Sequence, residues 1–477
     1  MLTDLLFIAP EKPWPPTDAD EAARLKEHAI NRCIYNNLHV EVFPKYAAYM
    51  RDKCDDDKKV AIILGWGEKA TSNYINLCIG EAPDVEINEV DTVEERPDEE
   101  VLIDASRYGL GLYEPTQDGI FAQNPENCYL VNAPGNIRKV TEYVFFSQFT
   151  VEKQTFIKLT IHGKGYIQHL IHELKEGKLG EKQDLANYPA YAGLNVDPLT
   201  GIQTTGVDDI LIVRLDNALS SDRRYGRSDY TPSVCSLIEA LELAFSRREE
   251  VLAKFARPVF QAPESAFNHF DHAKQKWEIH LDEPILLEPG SMEAKYLTWQ
   301  AELGAVENAI KDKMDQLLQM LDLVKQEELG QATSGTALAF RLLPTRSRVR
   351  KFATGLKTAI PKVLSLKSKL DVALGVLEAV AFEPSAVSVT MQDGIPRDPV
   401  QETAWATQAF QNQGMSLETY VCVTQGLEYD EDPSSALQKE VARIKGAQQA
   451  LQQAAPAGPQ ITLPPLGGPN APAQPAQ

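Results

Sequence analysis

MEAKYLTWQAELGAVENAIKDKMDQLLQMLDLVK, residues 292–325, places apolar side chains at Tyr296, Trp299, Leu303, Val306, Ile310, Met314, Leu317, Leu321 and Val324. Their spacing, alternately three and four, predicts a long helix with one apolar stripe. The pattern breaks in QEELGQATSG, residues 326–335, where two glycines and Thr333-Ser334 disfavour helix and offer a cap for a new one. A second helix is expected from Thr336. It carries Arg341, Arg346, Arg348, Arg350, Lys351, Lys357, Lys362, Lys367 and Lys369, with no acidic residue between Gly330 and Leu370. On pattern alone this is an antiparallel helical pair that buries a seam and leaves the cations on a solvated face.

The rest of the chain is strongly acidic. Across 477 residues the formal net charge is −21, with 43% hydrophobic and 24% charged residues, an ordinary globular composition long enough for more than one domain. That charge argues against a high-affinity duplex binder, because such binding depends on Lys and Arg neutralising phosphates. Cys33, Cys54, Cys78, Cys128, Cys235 and Cys422 include no C-x-x-C pair, so they read as free, mostly buried thiols in a reducing compartment. The apolar patch Leu5 to Ile8 lacks a basic flank, and no run reaches the roughly 20 apolar residues of a membrane span. Neither a signal peptide nor a membrane partner is expected.

Along the chain, Asp18 to Met50 reads as one helix capped at Thr17 or Asp18, and Lys59 to Leu64 as a strand. Thr71 to Pro83 suggests a short helix ending at Gly80. Gly65-Trp66-Gly67-Glu68-Lys69 lacks phosphate-loop spacing, so its glycines are expected to serve a turn. The acidic run Asp91 to Glu100 has too few apolar residues to pack and reads as a solvated or mobile loop. Cys128 to Leu174 alternates as strands do, with a hairpin turning at Gly163 to Gly165. His169 and His172 are three apart and would fall on opposite strand faces, which argues against a metal pair.

Asp229 and Pro232 look like the cap and first turn of a helix running to Phe255. Pro258 to Gly290 is a proline-bracketed insertion with a strand from Trp277 to Leu281. No cysteine accompanies its His269, His272 and His280, so no zinc site is assigned. Leu370 to Phe382 should continue the cationic helix, and Ala386 to Met391 is an alternating strand. Ser416 with Glu418-Thr419 is a helix start, and another helix is expected from Ser434 to Gln453 behind a cap in Tyr429 to Pro433. Residues 454–477, rich in Pro, Ala, Gly and Gln and without charge, are expected to be disordered.

Several of these segments, in collinear order from about Asn31 to Gln453, resemble the phage portal proteins of the Bacillus-phage type. They are Arg227-Ser228-Asp229 leading into Leu237-Ile238-Glu239-Ala240, the proline-rich insertion, the striped helix, Ser334-Gly335-Thr336-Ala337-Leu338 ahead of the basic helix, and Gly394-Ile395-Pro396-Arg397-Asp398 after a strand. The resemblance implies an α+β portal fold. It divides the chain into wing (1–230), stem helix (231–258), clip (259–291), long stem or wing helix (292–325), tunnel loop (326–335), C-terminal wing (336–398), crown (399–453) and tail (454–477).

It further implies a homo-oligomeric ring of twelve subunits at a capsid vertex, with no catalytic chemistry, no cofactor and no metal. Double-stranded DNA would pass through the ring, past a tunnel loop of Gln326, Glu327, Glu328, Gln331, Thr333 and Ser334. An acidic lumen with few cations suits a duplex that must slide. The terminase large subunit and head-completion or connector proteins would dock at the clip, on His269, His272, Lys274, Lys276 and Trp277. Major capsid and scaffolding proteins are further partners, and the location is the virion, after assembly in the host cytoplasm. Arg346, Arg348, Arg350, Lys351 and Lys357 are expected to pair with the acidic surface of a neighbouring subunit. The stripe and the acidic surface also fit a coiled-coil scaffold or adaptor without a DNA channel, and no Ser/His/Asp order or paired metal spacing supports an enzyme.

Overall fold

The computed structural model describes residues 12–15, 19–51, 61–88, 90–91, 95–188, 196–255, 259–261, 269–271, 276–278, 295–297, 303–325, 340–377, 379–391, 399–412, 414–425 and 436–454. They fall into two units, Met1–Ala332 with Leu338–Ile395, and Thr333–Ala337 with Pro396–Gln477. The expected caps at Thr17, Asp18 and Tyr429 to Pro433, the Gly394 to Asp398 segment and the low-complexity tail after Ala454 lie outside the described residues.

The larger unit opens on α1 (Ala19–Tyr35), α2 (His39–Val42) and α3 (Pro44–Arg51), where the sequence predicts one helix. Asn37 adopts a left-handed φ of 59°, and Phe43 is held extended ahead of Pro44, whose ring disfavours helical geometry in the residue before it. The chain therefore bends twice. Helix α4 (Trp66–Ile79) ends at Gly80 as expected but begins earlier. Gly67 lies inside α4 rather than in a turn, and the absence of a side chain there lets α4 approach α1, since a Cβ would stand 2.8 Å from Ile34 Cγ2.

After β1 (Asp84–Ile87) and β2 (Val90–Asp91), the acidic run expected to be a loop supplies the first turn of α5 (Asp98–Tyr108). Carboxylates suit that position because they face the positive end of the helix dipole. Asp98 is buried and accepts a 2.8 Å hydrogen bond from the Tyr113 hydroxyl.

Strands β3 (Leu110–Thr116) and β4 (Gly119–Ala122) form a hairpin, followed by β5 (Cys128–Ala133), β6 (Asn136–Val151), β7 (Gln154–Gly163), β8 (Tyr166–Lys175), β9 (Lys178–Lys182), β10 (Ile202–Thr204) and β11 (Val213–Asp216). One antiparallel sheet has the order β10-β8-β7-β6-β5 with β9 beside β8, and a second runs β11-β3-β4. The expected hairpin closes at Lys164-Gly165, with Gly163 opposite Tyr166. His169 and His172 do face opposite sides. His169 lines a cavity with His162, while His172 Nδ1 lies 3.0 Å from the Gly180 carbonyl.

Helix α6 (Pro232–Phe255) leads into β12 (Val259–Gln261), β13 (His269–Asp271), β14 (Lys276–Glu278) and β15 (Lys295–Leu297). β15 pairs with β12, placing Tyr296 opposite Phe260. The helix expected over 292–325 is therefore shorter, α7 (Leu303–Met320), because the start of its sequence is used as a strand. Its Ile310 and Leu317, with Leu321 just beyond, are buried, whereas Val306 is 42% exposed. Helix α7 packs against α6.

Residues Ala61–Leu64 form no strand. Their backbone is tied to side chains of α6, the Ile62 amide donating to Ser246 Oγ at 3.0 Å and the Leu64 amide to Glu242 Oε1 at 2.9 Å.

The cationic helix is α8 (Leu343–Ala373), with residues 336–339 outside the described set. It does not run on to Phe382. Gly375, at φ 73°, donates its amide to the Val372 carbonyl at 3.1 Å, and Val376 donates to Asp371 at 2.9 Å, the paired bonds that close a helix on a left-handed residue. Strand β16 (Val387–Thr390) follows as expected and pairs with β1. The main core gathers Tyr46, Tyr74, Leu102, Tyr113, Ile238, Leu317 and Leu356 from these helices and from β3.

The smaller unit holds α9 (Pro399–Gln411), α10 (Leu417–Gln425) and α11 (Ala436–Ala454), with its own core of Val421, Leu437 and Val441. Ser416 caps α10 as expected, its Oγ accepting from the Thr419 amide at 3.0 Å.

Candidate functional site

At 100° per residue, α8 divides into two sides. Val349, Phe352, Leu356, Ile360, Val363 and Leu370 are buried on one. Arg350, Lys351, Lys357 and Lys362 are exposed on the other, separated by Thr354 and Thr358. Thr354 and Thr358 donate their hydroxyls back to the carbonyls of Arg350 and Thr354, so their hydrogens are used within the helix and they add no charge to this face. The apolar side fixes the helix to the core, and the fixed helix presents a cationic strip.

Arg348 departs from that strip. It is four residues before Phe352 and therefore on the apolar side, where its guanidinium carbon stands 5.7 Å from the Phe352 ring centre. There it forms an ion pair with Asp229 and donates to Asn217 Oδ1 at 3.2 Å. The charge expected on a subunit surface is thus neutralised within its own chain.

Asp229, expected as a helix cap, is instead the acceptor at the centre of a buried network, while Thr231 Oγ1 accepts from the Val234 amide at 3.4 Å as α6 begins. Asp229 accepts from Ser106 Oγ at 2.7 Å and Asn217 Nδ2 at 3.0 Å. Ser106 Oγ lies 3.0 Å from Thr71 Oγ1, which is 2.7 Å from the Tyr230 hydroxyl, itself a donor to the Gly67 carbonyl. These bonds join α4, α5, α8 and the approach to α6.

The approach requires Gly226. A Cβ there would stand 2.0 Å from the Gly109 carbonyl oxygen and 2.4 Å from that of Asn217. Gly109, at φ 85°, closes α5 directly opposite.

The remaining expected site residues are distributed as follows. Gln326, Glu327, Glu328, Gln331, Thr333 and Ser334 lie outside the described residues, as do His272 and Lys274. His269 is on β13 opposite Glu278, and Lys276 and Trp277 are on β14 opposite Asp271 and Phe270. The structure therefore brings His269, Lys276 and Trp277 onto one two-stranded ribbon. Arg350, Lys351 and Lys357 share the outer side of α8, and Arg346 is half-buried at its edge.

Two buried polar clusters had no counterpart in the sequence reading. Glu242 on α6 is fully buried, paired with His39 and bonded to the Leu64 amide. Glu239 accepts the Lys45 amide at 2.7 Å, so one helix anchors α2, α3 and the segment after them. Their i, i+3 spacing on α6 was the available signal. The second cluster lines a cavity of about 390 Å³ beside β7, among Glu114, Gln123, Lys158, His162 and His169. Burial, reinforced by His169, pushes His162 down to about 3, and burial raises Glu114, whose Oε1 lies 3.4 Å from His162 Nε2. Among the described residues no group of three His, Cys, Asp or Glu could hold a metal, and no helix is long and apolar enough to cross a membrane.

A family model described as phage portal protein, SPP1 Gp6-like, matches residues 68–454. The match spans α4 to the end of α11 and so includes the Asp229 network and the whole of α8. No curated protein matches the chain.

Proposed function

Since the chain belongs to the phage portal proteins, SPP1 Gp6-like, over most of its length, we propose that it is the subunit of a twelvefold ring at a capsid vertex through which double-stranded DNA is packaged and ejected. The observation that carries this reading is the single family match across residues 68–454, which takes in both units.

In this reading the protein is structural and non-enzymatic. The two-stranded ribbons between α6 and α7 form a clip for the terminase large subunit and for head-completion or connector proteins, through His269, His272, Lys274, Lys276 and Trp277. Residues 326–335, with Gln326, Glu327, Glu328, Gln331, Thr333 and Ser334, face the DNA. Major capsid and scaffolding proteins surround the ring in the virion, and the ring assembles in the host cytoplasm.

The electrostatics support a channel more than a clamp. With a net charge of −21, most of the surface repels phosphate, so a duplex would pass without being held. The cations of α8 at Arg346, Arg350, Lys351 and Lys357 then serve contacts between subunits, while Arg348 fastens α8 to its own subunit.

Electron microscopy of the purified protein tests the reading. Rings with a central opening wide enough for a duplex are expected at micromolar concentration. Particles that remain monomers or small oligomers under every condition tried would overturn it.

A further inference from the structure

Helix α8 does not end its exposed surface in charge. Val372, which falls on the same side of the helix as Thr354, is 45% exposed, and the turn that follows exposes Leu374 and Val376, with Leu377 at 88% and Val380 at 76%. The cationic strip thus runs directly into an apolar knob. Fixed by the bonds that close α8 at Gly375, the knob is a built surface. A face made for phosphate needs donors and cations, whereas apolar side chains flanked by charge are the composition of a protein interface.

The same chain carries a complementary surface. Residues 81–100 hold ten carboxylates and one base, Arg96. Arg96 is turned inward to Asp98, leaving Glu86, Glu95, Glu99 and Glu100 exposed, with Val90 67% exposed among them. No ion pair occupies Arg350, Lys357 or Lys362 among the described residues.

Resting on the ring reading above, we infer that the outer face of α8 and its apolar turn seat on the β1–β2 and α5 N-terminal surface of a second copy of this chain. The two surfaces differ, so the contact is head to tail. Repeated, such a contact builds a closed ring when its rotation closes. Opposite charge fixes the register and is sensitive to salt, and the apolar turn excludes water at the edge of the contact.

The test is a charge exchange on the full chain, read by sedimentation velocity and electron microscopy at about 0.15 M salt. Wild-type protein is expected to form rings. Arg350→Glu with Lys357→Glu, and separately Glu86→Lys with Glu99→Lys, are each expected to reduce the ring fraction at least tenfold. All four together should restore it. Leu377→Asp should also lose rings, with no rescue from either pair. Every substituted residue is exposed, so circular dichroism should stay at the wild-type value, with unfolding midpoints lowered only slightly where Glu99→Lys puts a cation in the first turn of α5.

Reversal pairs that form rings as well as wild type, or a fourfold variant no better than either pair, would overturn the inference while leaving the ring reading intact. Rings that persist with Arg350→Glu and Lys357→Glu but no longer retain duplex DNA would assign the face to nucleic acid and overturn it too. Wild-type protein that forms no rings would overturn the ring reading itself, and this contact with it.

Discussion

Arg348 of α8 is paired with Asp229, the residue three before the start of α6, so two helices far apart in sequence are joined by a half-buried guanidinium and a buried carboxylate. The pair does not stand alone. Asp229 also accepts from Ser106 and Asn217, and its amide donates to the Ser106 carbonyl at 2.9 Å. The Ser-Asp segment ahead of α6 and the basic run of α8, separate features in the sequence, are halves of one arrangement.

Replacing Asp229 with Ala leaves a guanidinium, a hydroxyl and an amide without their acceptor in the interior. Breaking one side of such a buried pair costs about 3–5 kcal/mol. We expect a loss of that size in chemical denaturation, and a smaller loss for Arg348→Met, which keeps the packing on Phe352 and leaves Asp229 two of its donors. A change below about 1 kcal/mol for Asp229→Ala would show that the network contributes little.

Gly226→Ala should be among the most damaging small substitutions in the chain. The added methyl would collide with two backbone carbonyls, neither of which can rotate away as a side chain would. The expected result is loss of soluble, cooperatively folding protein, read by expression and thermal unfolding. Gly304→Ala, in α7 with nothing within 4 Å of the added carbon, is expected to be neutral or slightly stabilising and serves as the comparison.

Acid should destabilise the larger unit through His162. Its imidazole is held neutral by burial, with a pKa near 3, whereas in the unfolded chain it takes a proton near 6.5. Between those values the unfolded state binds more protons, so stability falls as pH falls, by about 2 kcal/mol at pH 5 from this group alone. Burial also lowers His28, His169 and His172, which act in the same direction. The urea midpoint should fall less between pH 7.5 and pH 5 in His162→Gln than in the parent. An identical shift in both proteins would remove His162 from the explanation.

What the sequence determined by itself was local. The hairpin at Lys164-Gly165, the alternating strand Val387–Thr390, the end of α4 at Gly80 and the Ser416 cap each depend on residues within a turn or two of one another, so their signals lie side by side in the chain. The order of the portal-like segments was legible for a related reason, because order is a property of the chain rather than of its folding.

Tertiary structure decided what those segments do. Tyr296 satisfies a helical stripe, yet it sits in a strand because Val259–Gln261 is there to pair with it. Asp98 reads as part of a solvated run until Tyr113, in the next strand, gives its carboxylate a buried donor. Arg348 looks like its neighbours on the basic helix until the partner 119 positions earlier is known. Burial of charge depends on what is brought opposite, and only the folded chain specifies that.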